Sequence, residues 1–344
     1  MKHLLNISAY PFDIQRQGGE LGLSEMCQSH GLDGMEVLTG YFQPPSSLRN
    51  LTKGVHLPYA VDWHSIWTGD DEYAGIRDED YLFLSYGRDR DEIVNTIRNS
   101  WMQAKALSPD YGVFHAGSPR LDRIFSQDFS CSDKDVLDSL IEILNAVAGS
   151  FPEGEPPFPI MLENLWWPGL RFMHGGEYQT LVDGLKFQKW GFCLDVGHLM
   201  NSLRVCKTEG QAIEAVLGKL GSLPQDMLDR VRVIHLHLSL SGQYQEDSMA
   251  RGEPEDFLAS DVNGRLEKAF PHFSAIDWHA PFQDGRCREI VRMVDPDYVT
   301  HEFICPHAED MDKKLRSQLS HFQNNHGTES RRIASNAEEG SIKD

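Results

Sequence analysis

The chain has 344 residues, and its six cysteines, Cys27, Cys131, Cys193, Cys206, Cys287 and Cys305, form no CxxC pair, which excludes a zinc ribbon and argues against a disulfide framework. Its formal net charge of −20 is opposite to the basic footprint that grips duplex DNA, so DNA is disfavoured and a small-molecule substrate is expected. The N-terminal apolar run is too short for a secretory signal and no stretch reaches membrane-spanning length, which predicts a cytoplasmic protein with reduced thiols and no membrane partner.

Short apolar runs recur along the chain at 3–8, 34–38, 54–57, 111–115, 159–163, 191–195, 232–236 and 298–303. Amphipathic patterns at 91–107, 133–148, 177–190 and 211–220 place apolar residues three and four apart, as a helix lying on a sheet requires. Eight strands alternating with helices imply a parallel sheet, and eight is the number that closes a barrel. The predicted fold is α/β, a single-domain (β/α)₈ TIM barrel over residues 1–322 with long βα-loop insertions. An open doubly wound sheet is the rival, but neither GxGxxG nor GxxxxGK[ST] occurs. The insertions are 60–90, which carries Trp63, Trp67, Tyr73, Tyr81 and Tyr86, and 239–275, which is polar; each is read as a lid, a binding loop or decoration. Residues 323–344 are polar and are expected to be a disordered tail.

Six strands end on a side chain that can bind a metal: His56, His115, Glu163, Asp195, His235 and Glu302. In a β/α barrel that end of the strand faces the active site. One such histidine is most simply a hydrogen-bonded core residue, but six convergent cases bury carboxylates whose mutual repulsion a bound cation relieves. His198 follows Asp195 by three residues, and Asp277 and His279 share one face of an extended segment. Imidazole with carboxylate suits Zn2+ and also Mn2+ or Fe2+. No GxSxG nucleophile is present, and no cysteine is assigned a catalytic task.

These motifs resemble the xylose-isomerase-like TIM barrels, and among them the endonuclease IV (AP endonuclease family 2) branch. His56-Leu57-Pro58-Tyr59 looks like that branch's HxPY, and His115-Ala116-Gly117-Ser118 is similar to its HPGS. Leu162-Glu163-Asn164, Asp195-Val196-Gly197-His198, Asp277-Trp278-His279 and His301-Glu302-Phe303 match further strand ends, while His235-Leu236-His237-Leu238-Ser239 resembles HLNDS with its Asn and Asp replaced. The resemblance implies two or three divalent ions per chain. His56, His115 and a bridging Glu163 would hold the first; Glu163, Asp195, His235 and Glu302 the second; His198, Asp277 and His279 the third. It further implies hydrolysis of a phosphodiester by a metal-bound hydroxide, with Glu163, Asp195 and Glu302 as the catalytic carboxylates. Sugar isomerases and epimerases of the same superfamily use a single ion held by two Glu, one Asp and one His, and do not need the other positions.

A cobamide-remodelling phosphodiesterase, acting on the nucleotide loop of a corrinoid, is the nearest small-molecule activity implied. The alternatives are a one-metal sugar isomerase or epimerase and an AP endonuclease-type repair nuclease. Tyr59, Trp63, Trp166 and Trp167 are the candidate substrate contacts, as rings that stack on a planar group or pack over the barrel mouth.

Overall fold

The computed structural model describes residues 1–69, 81–204 and 207–322. Its eight strands are β1 (Lys2–Ser8), β2 (Gly34–Leu38), β3 (Thr52–His56), β4 (Tyr111–His115), β5 (Ile160–Glu163), β6 (Trp190–Asp195), β7 (Val231–His235) and β8 (Tyr298–His301). They pair in sequence order, all parallel, and β8 returns to β1 to close the barrel. The predicted strand centres are all recovered, as are helices Arg90–Ala104, Asp133–Gly149 and Glu209–Leu220.

Successive side chains of a strand point to opposite faces, and the two faces differ in chemistry. Val55, Phe114, Leu162, Phe192, Leu194, Ile234 and Val299 are buried in the main core. Leu4, Tyr111, Val113, Met161, Cys193 and Val233 form a separate apolar cluster with Tyr298. Two residues beyond Val113, Met161, Cys193 and Val233 on their own strands stand His115, Glu163, Asp195 and His235. The same alternation therefore fills the barrel with an apolar plug and lines its C-terminal end with metal-binding side chains. Register completes the layer: His115 pairs with Glu163 across β4 and β5, and Asp195 with His235 across β6 and β7.

One predicted boundary needs correction. The helix expected over 177–190 is Gly175–Gly184, and Trp190 already belongs to β6. Side chains from neighbouring segments take the backbone donors beyond its end: Asn145 accepts from Lys186 N at 2.8 Å, and Glu155 accepts from Gln188 N and Lys189 N at 2.8 and 3.2 Å.

The 239–275 insertion contains three helices, Gly242–Arg251, Glu255–Leu258 and Val262–Ile276. Phe257, Val262, Leu266 and Ala269 pack on Leu84, Leu121 and Ile124 from other loops of the barrel's C-terminal side. The insertion thus has its own small core and forms a cap at one side of the mouth. In the 60–90 insertion, helices Trp63–Thr68 and Tyr81–Ser85 are described, whereas Tyr73 lies outside the described residues, as does the segment 323–344. No helix among the described residues is long and apolar enough to cross a membrane. A cavity of about 520 Å³ opens on the opposite, N-terminal face, where Arg232 pairs with Asp297 and Tyr298 donates to Asp110.

His272 pins the cap. Its Nε2–H donates to the Ile124 carbonyl at 2.9 Å, and its Nδ1 accepts from the Tyr244 hydroxyl at 2.9 Å. Burial lowers its pKa from 6.5 to about 4. A histidine with a depressed folded-state pKa contributes stability above its unfolded pKa and loses it as pH falls through the folded value. Between pH 6.5 and about 4 the fold should therefore lose up to about 3 kcal/mol from this residue. The non-titrating His272→Gln variant should show a flatter dependence of Tm on pH across that window, and an unchanged slope would contradict the assignment.

Candidate metal centre

Glu163 is the hub. It ends β5 and is 1% exposed, and its carboxylate meets histidines from three other strand ends. His56 Nε2 lies 3.1 Å and His115 Nε2 3.3 Å from its Oε2, with the two rings nearly perpendicular at 81°. His235 Nδ1 approaches its Oε1 at 3.4 Å. The His56 tautomer is set by chemistry: Nδ1–H donates to the Leu57 carbonyl at 2.9 Å, leaving the Nε2 lone pair for the centre.

The second group is Glu163, Asp195, His235 and Glu302, whose ligand atoms all lie within 4.8 Å of one another. His235 Nδ1 is 3.0 Å from Glu302 Oε2 and 3.7 Å from Asp195 Oδ2. Behind it, His235 Nε2 is 2.8 Å from Oε1 of Glu36, a fully buried carboxylate of β2. Tyr111, Thr300 and Asn6 donate to Glu36 at 2.7, 3.2 and 3.3 Å. A carboxylate behind a ligating imidazole fixes its orientation and strengthens it as a ligand. Sequence reasoning passed over Glu36, although a lone acid inside an apolar strand was the available signal.

Asp195 also orients the next ligand along the chain. As N-cap of helix Val196–Leu203, its Oδ1 accepts from His198 N at 2.6 Å, which turns His198 back toward the centre. Asn164 clamps the Asp195 backbone at both ends, at 2.8 and 3.0 Å. His198 Nδ1–H donates to the Asn164 carbonyl at 2.9 Å and its Nε2 points to Asp277 Oδ2 at 3.3 Å. His279 Nε2 reaches the same Asp277 oxygen at 2.6 Å. The structure thus brings all nine proposed ligands into one region. It adds His237, which is fully buried beside Asp195 and was passed over in the sequence.

The residues fit divalent ions. Every ion pair found for Glu163, Asp195, Asp277 and Glu302 among the described residues is to a histidine, so no Lys or Arg neutralises them. His235 Nδ1 and Nε2, His237 Nδ1 and Glu302 Oε2 are buried without an aligned hydrogen-bond partner among the described residues, even though His235 has carboxylates at close range. Burial pushes Glu163 up, yet its contacts with His115 and His235 more than reverse this and hold it well below the ordinary carboxylate range. Burial likewise opposes the charge on His279, but Asp277 lifts its pKa to about 9. Without an ion, the centre holds its carboxylates apart by keeping protons on histidines.

Of the candidate substrate contacts, Tyr59 is 45% exposed and stacks on His115 at 4.7 Å. Trp63, Trp166 and Trp167 are enclosed by packing instead, at 1%, 6% and 7% exposure. Trp166 lies against His198 at 5.0 Å, and the pair Trp166-Trp167 packs with Ile276 and Phe273 of the cap. The open ring near the centre that sequence reasoning did not select is Trp278, 46% exposed beside Asp277.

Uptake of ions by this centre must displace protons. His279, with a pKa of about 9, carries one at about pH 7.5 in the metal-free chain. Calorimetric zinc titrations in two buffers of different ionisation enthalpy should therefore show net release of at least one proton per chain. Buffer-independent heats would contradict this description of the centre.

No family model and no curated protein matches the sequence. Solved structures do match the fold. Endonuclease IV from Thermus thermophilus aligns with a TM-score of 0.52 at 17% identity, covering 94% of this chain and 99% of that one. A D-tagatose 3-epimerase-like protein aligns with a TM-score of 0.51 at 15% identity, covering 93% of this chain and 97% of that one. A closed parallel eight-stranded barrel, matched over nearly its whole length by these two proteins, gives the chain the (β/α)₈ barrel fold that both of them share.

Proposed function

We propose that the protein is a metal-dependent hydrolase that cleaves a phosphodiester in a small molecule. One observation carries the reading: the groups His56–His115–Glu163 and Glu163–Asp195–His235–Glu302 share Glu163, as a two-ion centre requires. Adjacent divalent ions would supply Lewis acidity to a phosphoryl group and offset charge on its oxygens. The chain's own part is to hold the carboxylates in register, to fix the histidine tautomers through Leu57 and Asn164, and to keep bulk water from His198 with the Trp166 ring.

The substrate reading rests on charge and shape. A chain at −20 repels a polyanion, which favours a compact ligand over duplex DNA. Tyr59 offers an open ring face above His115, suited to a planar group attached to the phosphodiester. A corrinoid with an intact nucleotide loop is the candidate, and zinc the favoured ion, with Mn2+ or Fe2+ as substitutes.

A sugar epimerase is the second reading. It is favoured by the near-equal match to the D-tagatose 3-epimerase-like protein and by the group Glu163, Asp195, His235 and Glu302, which can serve one ion. Abasic-site DNA, a corrinoid with its nucleotide loop and a ketose such as tagatose, offered side by side to the metal-loaded protein, separate the readings. Corrinoid phosphodiester cleavage alone supports the proposal. Epimerisation without phosphodiester cleavage overturns it, and efficient incision of abasic DNA makes the protein a repair nuclease. Glu163→Gln should lower turnover on the order of a hundredfold or more while the barrel stays folded by circular dichroism. Near-normal turnover would refute the bridging role.

A further inference from the structure

His237 is placed as a ligand would be, although it lies outside the nine-residue set. It follows His235 by two residues, so alternation brings both rings to the same side of the chain. Its side chain is fully buried, with Nε2 2.9 Å from Asp195 Oδ2. Its Nδ1 has no hydrogen-bond partner among the described residues and lies 4.0 Å from Asp277 Oδ1. Neither neutral tautomer satisfies both ring nitrogens, and a doubly protonated ring would leave its Nδ1–H with no acceptor within hydrogen-bond reach among the described residues. With the proton on Nε2, a bare Nδ1 lone pair is buried near a carboxylate oxygen; with it on Nδ1, two lone pairs meet at Asp195. A buried acceptor without a donor is costly, and a cation at the ring removes that cost.

The chain also makes room for this ring. A Cβ on Gly197 would collide with the His237 imidazole, so the glycine between Asp195 and His198 keeps the ring's place open. Ring orientation then indicates which neighbours share an ion with it. His237 stacks on His279 at 4.2 Å and 12°, and parallel rings cannot both aim an in-plane lone pair at one ion lying between them. His198 stands at 84° to His237 with centroids 6.0 Å apart. Two imidazoles sharing a zinc-sized ion hold their centroids about 5 to 6 Å apart. Asp195, His198 and His237 place one ligand atom each within 4.8 Å of the others.

We propose that His237 is a tenth ligand of the centre, forming with Asp195 and His198 a position for a borderline divalent ion of the zinc type. Two imidazoles and one carboxylate make this position richer in nitrogen than the group of Glu163, Asp195, His235 and Glu302, and so more selective for zinc over manganese or magnesium. The inference rests on the metal-centre reading above and concerns ligation, not turnover.

Zinc titration against a competing chelator tests it with the full chain. His237→Ala should weaken one class of zinc site by about tenfold or more and leave the remaining classes near wild type. Gly197→Ala, which retains the imidazole but displaces it, should weaken the same class. Affinities within twofold of wild type for every class in both variants overturn the proposal. A second measurement needs no variant: in crystals of the zinc-loaded wild-type chain, anomalous scattering should place zinc about 2.1 Å from a His237 nitrogen. Zinc bound at Glu163 and its partners with none beside His237 overturns the proposal and leaves the hydrolase reading standing. A wild-type chain that binds no zinc at all overturns both.

Discussion

Four carboxylates, Glu163, Asp195, Asp277 and Glu302, converge at the end of a closed barrel with only histidines to offset them among the described residues, and the design of the site answers that electrostatic problem. Two like charges about 4 Å apart repel by about 4 kcal/mol at the effective dielectric of a protein site. The metal-free chain responds by raising His198, His235 and His279, so that protons occupy the centre. Divalent ions would relieve the same repulsion and free the histidines to act as ligands. The apolar plug below and the cap beside the mouth keep the carboxylates out of bulk water, where their repulsion would be screened.

The barrel explains why the candidate ligands can lie far apart in sequence and still meet. The ends of β3, β4, β5, β6 and β7 each contribute one side chain, and register sets which are neighbours. Precision comes from the surrounding atoms. The Leu57 and Asn164 carbonyls choose the reactive nitrogen of His56 and His198, and Glu36 stands behind His235. Losing such a partner of a ligand typically costs about ten- to a hundredfold in metal affinity.

Most of the barrel was legible in the sequence because its signal is local. Strand alternation put His115, Glu163, Asp195 and His235 two residues above apolar plug residues, which a linear reading detects. What escaped depends on tertiary contact. His237 obeys the same alternation as His235, but its role emerges only with Gly197 beneath it and His198 across from it. Trp63, Trp166 and Trp167 carry the composition of a stacking surface, and only the packing of the cap shows their rings enclosed. The 239–275 insertion read as polar loop because its helices bury few residues, chiefly Phe257, Leu266 and Ile276, each against a segment distant in sequence.

Glu163 belongs to both groups of candidate ligands, and counting ions tests most directly whether this one carboxylate joins two of them. Native mass spectrometry of the chain, purified without chelator and equilibrated with zinc, should show two or more ions per chain. Glu163→Gln should lose more than one of them together, since a bridging residue serves two sites. A wild-type chain that takes up a single ion, retained when His56 and His115 are both replaced by alanine, would contradict the account.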